Sequence, residues 1–595
     1  MRILLCHCSS FVGNDISHPR VEHLGIGYLA ASARSHGHTV TILDANIEKL
    51  IWNEALDRIR TLGDFDLIGF SVLGANYHQT RLVIAGLRAL GSKAHICLGG
   101  YLPTFLCHQL VHDCPGVDSI ILGEADVSFL QLAEAIEGDC SWRDVPGLAF
   151  ADGSQLVSNP LPPLTPDLDR LPFPARDTLP LLFRNRNPVI SISPTRGCYM
   201  KCNFCSIIQF YAMGKGRAWR ERSPENVVDE IEEILSSPAC RDHNADFVWF
   251  CADEFIGLKR GGKSFGQRLT EEILGRRLVF RWEIACRTDQ VDFELFRLMR
   301  EAGLRSVYVG VESFSQRQLD AYHKQNTVEQ NCEAIRIFEK LRLDYTLGTI
   351  VFSPNTTLEE FERNHRAIES VGYHRVTMPL SRLKLFEGTP ATAQHRTQAL
   401  SIPGRRDEDA PSKSGNGALD PTFPLDDVYD YAFADERVDS LWKTLHNRND
   451  ANEGLVREAV RLLDDGLIDG VSFWQLVFNI RDALAWFVED AVNSVKREEG
   501  LDALISRHDL MAAEGMRQLR DFRLFLEGNP LAEQYFLLTF PGIRWEYRVP
   551  GRSSSYIPGV EKELAERDHQ QAAVASRDCL LPRDVPLLAH DAILS

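Results

Sequence analysis

The stretch Arg196–Cys205, RGCYMKCNFC, places three cysteines within eight residues. Cys198, Cys202 and Cys205 have the spacing C-x3-C-x2-C, and an aromatic residue precedes the last cysteine. Three thiolates can hold three irons of a cubane iron–sulfur cluster and leave the fourth iron open to another ligand. The stretch therefore predicts a 4Fe–4S cluster with one free coordination position.

Two other interpretations of the three cysteines remain open at this point. C-x2-C pairs are common zinc ligands, and a zinc ion would need a fourth ligand such as Cys251 or Cys286 on neighbouring predicted strands. A purely structural role for buried cysteines is the other possibility, although a loop that begins at a glycine fits it poorly.

The cysteine loop follows the first strand of a regular β/α series between residues 188 and 400. Six β-rich runs alternate there with helix-like segments, at 188–194, 246–252, 279–286, 306–312, 344–352 and 375–386. Ser223 followed by Pro224 marks the start of the first helix, since serine caps helices and proline suits their first position. The pattern predicts a partial (β/α)6 barrel whose chemistry lies at the carboxyl ends of its strands.

Residues 1–140 form a second alternating series, with β-rich runs at 2–6, 39–44, 66–73, 94–100 and 118–124. Such alternation predicts a parallel sheet wrapped by helices, in which ligands bind at the carboxyl ends of the strands. Gly99 and Gly100 stand at one such end and permit a close approach of backbone and ligand. A tight turn without a ligand is the alternative for these two glycines.

Three further segments complete the organisation of the chain. Residues 141–187 are predicted to be a proline-rich linker, and residues 401–421, rich in Gly, Pro and charge, a flexible loop. From residue 422 to 595 the periodicity is helical and predicts a mainly helical C-terminal domain. The fold class is therefore α/β with an added helical unit.

Composition excludes several classes of protein. The 595 residues carry 65 basic and 83 acidic side chains, a net charge of −18, which disfavours nucleic acid as a general partner. No run approaches the roughly 20 apolar residues that cross a bilayer, so no membrane span is expected. The opening segment reads as a strand, and fourteen scattered or clustered cysteines indicate reduced thiols or metal ligation in a cytoplasmic protein.

The cysteine motif, with Phe204 before its last member, resembles the signature of the radical S-adenosylmethionine (SAM) enzymes, and the six-unit series matches their partial barrel. In that family the open iron binds SAM, and an electron from the cluster cleaves it to a 5′-deoxyadenosyl radical. The resemblance implies SAM contacts at Phe204, Asp253, Glu254, Arg287, Glu312, Gly348 and Ile350. A salt bridge at the barrel mouth is the alternative role for Arg287 and Glu312.

Beside such a barrel, the N-terminal series resembles a Rossmann-like (flavodoxin-like) cobalamin-binding domain. The resemblance implies cobalamin contacts at Ser71, Leu73, Gly99, Gly100, Tyr101, Pro103, Thr104, Gly123 and Glu124. The usual Asp-x-His-x-x-Gly element, which supplies a nitrogen ligand to cobalt, does not occur in the sequence. His7, His18 or His23 could substitute, although we interpret them as surface or loop histidines.

Together the two resemblances imply a cobalamin-dependent radical SAM methyltransferase, which methylates an unactivated carbon of a secondary metabolite through the 5′-deoxyadenosyl radical and methylcobalamin. The expected partners are a small-molecule or peptide substrate and an external electron donor such as flavodoxin or ferredoxin. Three alternatives remain: a cyclase or rearrangement enzyme with the same cofactors, a cobalamin enzyme that forms no adenosyl radical, and a metal-bound scaffold that binds a partner through its C-terminal helices.

Overall fold

A computed structural model describes residues 1–10, 21–138, 140–183, 189–399, 431–464, 467–468, 470–499, 501–527, 535–540 and 543–548. The loop predicted at 401–421 and His18 lie outside these residues. Among the described helices, none combines the length and the apolar character that a membrane-spanning segment requires.

The N-terminal domain is a sheet wrapped by helices. Its elements in chain order are β1 (Arg2–His7), α1 (Leu24–Ser35), β2 (Thr39–Asp44), α2 (Trp52–Leu62), β3 (Leu67–Ser71), α3 (Gly74–Ala89), β4 (His95–Gly99), α4 (Tyr101–Asp113), β5 (Ser119–Ile121), α5 (Asp126–Glu137), β6 (Leu148–Asp152) and β7 (Gln155–Ser158). The first five strands are parallel in the order β2-β1-β3-β4-β5, which is the flavodoxin-like order. Apolar clusters pack on both faces of the sheet, as the uninterrupted apolar runs of these strands require.

Strands β6 and β7 lie inside the segment that was expected to be a linker. They add to β5 as an antiparallel hairpin and extend the sheet to seven strands. The hairpin turns at Gly153-Ser154, between the paired residues Asp152 and Gln155; Gly153 has φ +62°, and glycine is favoured in such two-residue hairpin turns. The proline content of the region concealed this local signal, so the connector proper begins only after residue 158.

The central domain carries the cysteine loop. Its elements, after the short α6 (Leu179–Leu182), are β8 (Ile190–Ile192), β9 (Thr195–Arg196), α7 (Ser206–Ala212), β10 (Arg220–Glu221), α8 (Pro224–Leu235), α9 (Pro238–Asp242), β11 (Phe247–Phe250), α10 (Phe265–Gly275), β12 (Arg281–Arg287), α11 (Phe293–Glu301), β13 (Leu304–Glu312), α12 (Gln316–Ala321), α13 (Val328–Leu341), β14 (Asp344–Thr349), α14 (Leu358–Val371) and α15 (Pro390–Ala399). The parallel sheet has the order β14-β13-β12-β11-β8, and β9 pairs with β10 as a small ribbon beside it. Ser223 caps α8 by accepting a hydrogen bond from the Asn226 N–H at 3.2 Å, as predicted.

The sixth predicted strand, 375–386, departs from the expectation. In the described structure this segment makes only two isolated parallel bridges, Val376 to Leu347 and Arg382 to Phe352. Pro379 lies between the bridges and has no N–H to donate to a ladder, which accounts for the interruption. The partial barrel therefore contains five continuous strands and a broken sixth segment.

The described part of the C-terminal region is mainly helical, as predicted, and includes a hairpin that the sequence pattern did not indicate. Its elements are α16 (Glu436–Asp464), α17 (Gly470–Lys496), α18 (Asp502–Glu527), β15 (Tyr535–Phe540) and β16 (Ile543–Arg548). Leu484, Val488 and Val492 of α17 belong to the same apolar core as the barrel. His365 of α14 also lies 2.9 Å from Glu489, so this region packs directly against the barrel.

Candidate active site

The three cysteines lie in the loop that follows the first barrel strand. Cys202 is buried, Cys198 and Cys205 are half-buried, and Cys205 caps the amino end of α7. Two sulfurs accept hydrogen bonds, Cys198 Sγ from the Met200 N–H at 3.4 Å and Cys202 Sγ from Arg287 at 3.7 Å. Burial raises the pKa of Cys198 to about 12 and that of Cys205 to about 11, so a metal centre must displace their protons before they can act as thiolate ligands.

The arrangement of donors disfavours a mononuclear zinc ion. Within the described residues, no three His, Cys, Asp or Glu side chains converge closely enough to hold one ion. Cys251 and Cys286, the candidate fourth ligands for zinc, therefore do not complete such a site with the loop cysteines. The described residues therefore give no support to the mononuclear zinc interpretation.

Asp253 and Glu254 follow β11 but face different surroundings. Asp253 accepts a hydrogen bond from the Gly197 N–H at 2.9 Å, directly before the cysteines, and is open to solvent inside a cavity. Because protein surrounds that cavity, desolvation raises the pKa of Asp253 to about 6. The Glu254 carboxylate is buried and accepts hydrogen bonds from the N–H groups of Ile256 at 3.2 Å and Gly257 at 3.0 Å, so it holds its own turn.

Arg287 and Glu312 are engaged by the protein rather than by each other. The Arg287 guanidinium is buried and donates to Asp289 at 2.9 Å, to the Lys324 carbonyl and to Cys202 Sγ. Glu312 has φ +60° and accepts a hydrogen bond from Lys324 Nζ at 2.7 Å. Lys324 therefore connects the ends of two barrel strands to the cysteine loop.

The remaining predicted SAM residues lie along the same side of the barrel. Phe204 packs edge-on against Tyr322, with ring centroids 5.7 Å apart, and Ile350 accepts a hydrogen bond from the Tyr322 hydroxyl at 3.2 Å. Gly348 stands beneath Tyr308, and a Cβ at that position would meet the Tyr308 hydroxyl at 2.4 Å. The glycine therefore makes room for a tyrosine side chain that remains more than one-third exposed.

Most predicted cobalamin residues line one cavity of about 560 Å³ between the two domains. On the side of the N-terminal domain the lining includes Ser71, Leu73, Gly99, Gly100, Tyr101, Gly123 and Glu124. On the barrel side it includes Arg196 and Asp253. The carboxyl ends of the N-terminal strands and the approach to the cysteines therefore face one shared space.

Glycine residues shape the part of this cavity that lies at the carboxyl ends of β4 and β5. No atom lies within 4 Å of the position that a Cβ would take at Gly99, whereas at Gly100, with φ +107°, it would meet the Val72 carbonyl at 2.7 Å. Gly123 also has a positive φ of +71°. Large ligands can therefore approach the backbone closely here, and a side chain at Gly100 would distort the turn.

Tyr101, Pro103 and Thr104 form the first turn of α4, and only Tyr101 lines the cavity. The Tyr101 ring packs on Phe210 of α7 with centroids 4.4 Å apart, which brings the N-terminal domain into contact with the helix that Cys205 caps. Thr104 donates to the Gly100 carbonyl at 2.7 Å and accepts from the Gly123 N–H at 3.1 Å. Thr104 thus joins two loops, and Pro103 is buried in the domain core.

An ion-pair cluster, which sequence patterns did not reveal, joins the two domains beside the cysteines. Glu124 accepts hydrogen bonds from Arg220 at 2.7 and 2.8 Å and from Arg196 at 3.2 Å, and Asp126 accepts from Arg196 at 2.7 Å. Burial alone would raise the pKa of Asp126, but the Arg196 guanidinium lowers it overall. Arg196 opens the cysteine motif, so this cluster holds the cysteine loop against the N-terminal domain.

A second buried cluster tightens the same interface through the connector. Arg176 donates to Glu22 and to Glu230, each at 2.6 Å, and Arg222 pairs with Glu230. Glu22 lies before α1 and Glu230 on α8, so the connector bridges both domains. Charged residues with no local spacing pattern gave no sequence signal for this contact.

His23 lies in the loop before α1, within the surface-or-loop interpretation, but it is half-buried and lines the cavity. Its Nε2 lies 2.8 Å from Ser71 Oγ, and its Nδ1 accepts a hydrogen bond from the Ile26 N–H at 3.3 Å, which caps α1. The His7 ring lies 4.5 Å away and Asp44 is 3.3 Å from His7. Desolvation lowers the pKa of His23 to about 4, so the ring is neutral at pH 7 in the cavity wall.

The residues present fit the expected cofactors. The shared cavity is bounded by glycine backbone, by apolar side chains and by few charges on the N-terminal side, as a large corrin ring requires. The cysteine loop supplies three sulfur donors, two of them hydrogen-bonded, which suits a cluster with one open iron. Arg287 contributes one of those hydrogen bonds and thereby belongs to the surroundings of the cluster ligands.

Comparison with known protein families agrees with this geometry. Residues 17–133 match the model of the B12 binding domain, and residues 192–368 match the model of the radical SAM superfamily. The two matches confirm the expected cofactor classes, cobalamin for the first domain and a 4Fe–4S cluster with SAM for the second.

Several named proteins and solved structures resemble the chain over much of its length. An uncharacterized methyltransferase of Pyrococcus horikoshii is 26% identical over 343 residues, which is 57% of this chain and 71% of that protein. The anaerobic magnesium-protoporphyrin IX monomethyl ester cyclase of Cereibacter sphaeroides is 28% identical over 389 residues, 62% of this chain and 59% of that protein. The cobalamin-dependent SAM radical enzyme OxsB, solved with aqua-cobalamin and SAM bound, shares the fold with a TM-score of 0.65 at 20% identity, over 83% of this chain and 71% of that chain.

The domain order, the shared cavity and the family matches lead to one assignment. A B12-binding domain precedes a radical SAM barrel, and both present the functional edge of their sheets to the same space. The chain therefore carries a B12 binding domain followed by a radical SAM domain.

Proposed function

We propose that the protein is a radical SAM methyltransferase that passes a methyl group from SAM through cobalamin to an unactivated carbon of a small molecule. The observation that carries the proposal is the single cavity that both domains line, with Gly99 and Gly100 on one side and Arg196 and Asp253 on the other. A methyl carrier and a radical source must reach one substrate, and a shared cavity satisfies that requirement. The relative of P. horikoshii that is named a methyltransferase supports the same chemistry.

When bound, the reduced cluster supplies the electron that cleaves SAM, and cobalamin supplies the carrier for the methyl group. Cys198, Cys202 and Cys205 would hold the cluster, and Arg287 donates to one of their sulfurs. Asp253 fixes the backbone of Gly197 and offers its second oxygen to the cavity, where it would orient a polar group of SAM or of the substrate. Tyr101 and Phe210 close the contact between the domains and exclude water from the space between the cofactors.

Ring formation or rearrangement with the same cofactors is the second candidate function. It is favoured by the 28% identity to a cyclase, which is similar to the identity found for the methyltransferase. The two candidates need the same cavity and the same cluster. They differ in the product: methylation adds one CH2 unit to the substrate, whereas cyclisation removes hydrogen.

The test is turnover by the anaerobically reconstituted holoenzyme. We expect the wild-type protein to bind cobalamin, to release 5′-deoxyadenosine from SAM, and to yield a substrate that has gained CH2 in a screen of candidate metabolites. The methyl group should carry label from methyl-labelled SAM. Bound cobalamin and SAM cleavage, combined with a product that has lost hydrogen, would replace methyl transfer by cyclisation.

Replacement of a cysteine checks the assignment of the cluster. Cys198→Ala, Cys202→Ala and Cys205→Ala should each abolish SAM cleavage and leave cobalamin binding largely intact, because the cobalamin side of the cavity contains none of them. Cys240→Ala is the matched control, since Cys240 is buried on α9 outside this loop. SAM cleavage by any of the three loop variants would contradict the cluster assignment.

The proposed setting follows from the same chemistry. Cleavage of SAM consumes an electron, so the enzyme requires an external one-electron donor in addition to its small-molecule or peptide substrate. Thirteen cysteines of the described residues are free thiols, which fits the reducing conditions of a cytoplasmic location.

A further inference from the structure

Two loops of the barrel concentrate positive charge on a protein whose net charge is −18. The first, residues 213–218, reads MGKGRA and follows α7, and the second, residues 258–263, reads LKRGGK and precedes α10. Six exposed residues of these loops define a surface called here the basic rim: Met213, Lys215, Arg217, Leu258, Lys259 and Arg260. Four of the six are cationic, and the other two are large apolar side chains.

The two loops meet at one cleft of about 620 Å³, which both Arg217 and Arg260 line. Among the described residues, Lys215, Arg217 and Lys259 have no carboxylate partner. Arg260 lies 2.8 Å from Glu221 but keeps 58% of its side chain exposed. The positive charge of the rim is therefore largely available to an approaching molecule.

Four of the six acidic residues that line the cleft pair with cations outside the unpartnered part of the rim. Glu221 also pairs with Arg268 at 2.9 Å, and Asp167 lies 3.3 Å from Arg170. Lys263 lies 2.7 Å from Glu271, and Arg276 lies 2.7 Å from Glu272. Asp169 and Glu225 have no cationic partner in the described structure, and the three unpartnered cations of the rim outnumber them, so the rim keeps a positive charge.

Apolar contact area accompanies the charge. Met213 is 40% exposed and Leu258 is 48% exposed, one on each loop. Protein interfaces combine such apolar centres with a polar rim, and methionine and arginine are enriched in them. The composition of the rim thus suits a protein partner with acidic groups around an apolar contact.

The cleft adjoins the cysteine loop through aromatic side chains. Trp219 forms part of the cleft wall and packs edge-on against Tyr199, the residue after Cys198, with ring centroids 5.9 Å apart. Gly257 permits this position, because a Cβ there would meet the Trp219 ring at 2.6 Å. A molecule seated on the rim would therefore stand behind the cluster ligands.

The second loop of the rim lies on the side of the β9–β10 ribbon away from the cobalamin domain, whereas Gly214 of the first loop lines a small pocket with Glu124 and Asp126 of that domain. Successive side chains of a strand point to opposite faces. Arg220 reaches Glu124 of the N-terminal domain, and the next residue, Glu221, pairs with Arg260 and Arg268 at the cleft. A partner can therefore approach the second loop of the rim while the cobalamin domain stays docked.

We infer that the basic rim is the docking surface for a small acidic electron-carrier protein, which delivers single electrons to the cluster. The inference rests on the proposed function, because only reductive cleavage of SAM requires such a donor. In each delivery the carrier is oxidised by one electron, the cluster is reduced by one electron, and no covalent bond forms. Charge complementarity supports an acidic carrier, since a positive patch on an acidic protein attracts negative partners and repels others.

The test reverses the charge of the three cations that have no carboxylate partner in the described structure, in the variant K215E/R217E/K259E. Reduced flavodoxin serves as the acidic donor, and a ferredoxin is used in a parallel series. We expect the affinity for flavodoxin, measured without SAM at low salt, to fall about tenfold or more, since rim charges steer association. SAM cleavage supported by flavodoxin should fall in parallel, whereas cleavage supported by dithionite, which needs no docking, should be unchanged.

The matched control is K93E/R300E/K340E, which makes the same charge change at exposed cations. Each of these residues precedes a strand, so it lies at the amino end of its sheet, away from the cysteine loop. This control should bind flavodoxin as the wild type does. Equal losses of flavodoxin affinity in the two triple variants would show that only the net charge of the protein matters, and would overturn the docking surface.

The binding measurement separates the two proposals. Unchanged affinity of the rim variant for both carriers would overturn the docking surface, whatever the activity. Failure of dithionite to support SAM cleavage in the wild type would overturn the proposed function, even where rim reversal abolishes binding. Loss of dithionite-supported cleavage only in the rim variant would show that these cations maintain the cluster itself, and would also overturn the proposal.

Discussion

The two sides of the central cavity use their predicted ligand residues in different ways. On the barrel side, Glu254, Arg287 and Glu312 do not line the cavity and already have close partners within the protein. On the cobalamin wall, Leu73 and Gly99 present open surface to the cavity. Charged residues at the barrel mouth therefore brace the cysteine loop, whereas the other wall is kept bare for a large ligand.

The difference follows from what each wall must hold. A cluster needs three sulfurs in fixed positions on an irregular loop, so buried ion pairs and hydrogen bonds are concentrated around that loop. A corrin ring needs width and close backbone approach, so glycine and apolar side chains dominate. The predictions below test this division, beginning with the change of largest expected effect.

Gly197→Ala should break the barrel wall. Gly197 has φ +78°, and a Cβ there would meet the Ala218 carbonyl at 2.0 Å, a backbone contact that no side-chain rotation relieves. We expect the iron content after reconstitution to fall about tenfold or more, because a left-handed residue alone costs about 1–2 kcal/mol before the clash is added. Gly153→Ala is the control, with φ +62° and no atom within 4 Å. Normal iron content in Gly197→Ala would show that the loop tolerates displacement.

Asp126→Asn should weaken the junction between the walls. Asp126 and Arg196 form a pair at 2.7 Å whose side chains are 11% and 14% exposed, and removal of one partner from a fully buried pair costs about 3–5 kcal/mol. Because Glu124 still contacts Arg196, we expect a loss near the lower end of this range in the free energy of unfolding by denaturant. Asp57→Asn, which removes an exposed partner of Arg60, should change stability little. Equal effects of the two substitutions on the free energy of unfolding would show that the Asp126–Arg196 pair does not stabilise the junction.

Gly100→Ala should affect the cobalamin wall alone. The added Cβ would meet the Val72 carbonyl at 2.7 Å in a turn with φ +107°. We expect cobalamin affinity to fall about tenfold, equivalent to roughly 1.4 kcal/mol, with iron content and dithionite-supported SAM cleavage retained. Gly91→Ala serves as the control in the same domain, with φ +85° and no atom within 4 Å. A parallel loss of iron in Gly100→Ala would mean that cobalamin binding and cluster binding do not depend on separate parts of the structure.

The smallest expected effect is an opposite pH dependence of the two walls. The pKa of Asp253 is raised from 3.8 to about 6, so the folded protein binds the extra proton and Asp253 makes stability fall as pH rises from about 4 to 6. The pKa of His23 is lowered from 6.5 to about 4, so the unfolded chain binds the extra proton and His23 makes stability fall as pH drops from about 6.5 to 4.

Single variants separate the two contributions. Relative to the wild type, Asp253→Asn should gain stability as pH rises from 4 to 6, and His23→Gln should gain it as pH falls over the same window. The measurement is the free energy of unfolding by denaturant at several pH values. Parallel profiles for both variants and the wild type would show that neither group titrates with the shifted pKa.

Local patterns predicted much of this molecule. The spacing of Cys198, Cys202 and Cys205 indicated the cluster, and alternation of apolar runs located the strands of both sheets, because each signal lies within one short segment. The hairpin at 148–158 and the broken segment at 375–386 departed from that scheme. A two-residue turn allowed a hairpin within the proline-rich segment, and one proline interrupted the strand that the apolar run predicted.

Pairings between distant residues were beyond the reach of those patterns. Arg196 with Asp126, Lys324 with Glu312 and His23 with Ser71 each join segments that fold together only in the tertiary structure. Their energies depend on burial and distance, and neither is encoded in local spacing.

The sequence by itself indicated which cofactor classes the protein takes, because the spacing of three thiols favours a cluster and the motifs of the two β/α series resemble those of the radical SAM and cobalamin-binding families. Only the tertiary structure decided how those residues are used. In the folded protein, Glu124, Glu254, Arg287 and Glu312 make hydrogen bonds to other protein groups. Gly99 and Asp253 face the cavity. The physical reason is that a charge that becomes buried on folding must be paired or hydrogen-bonded, and the chain selects those partners by proximity in space.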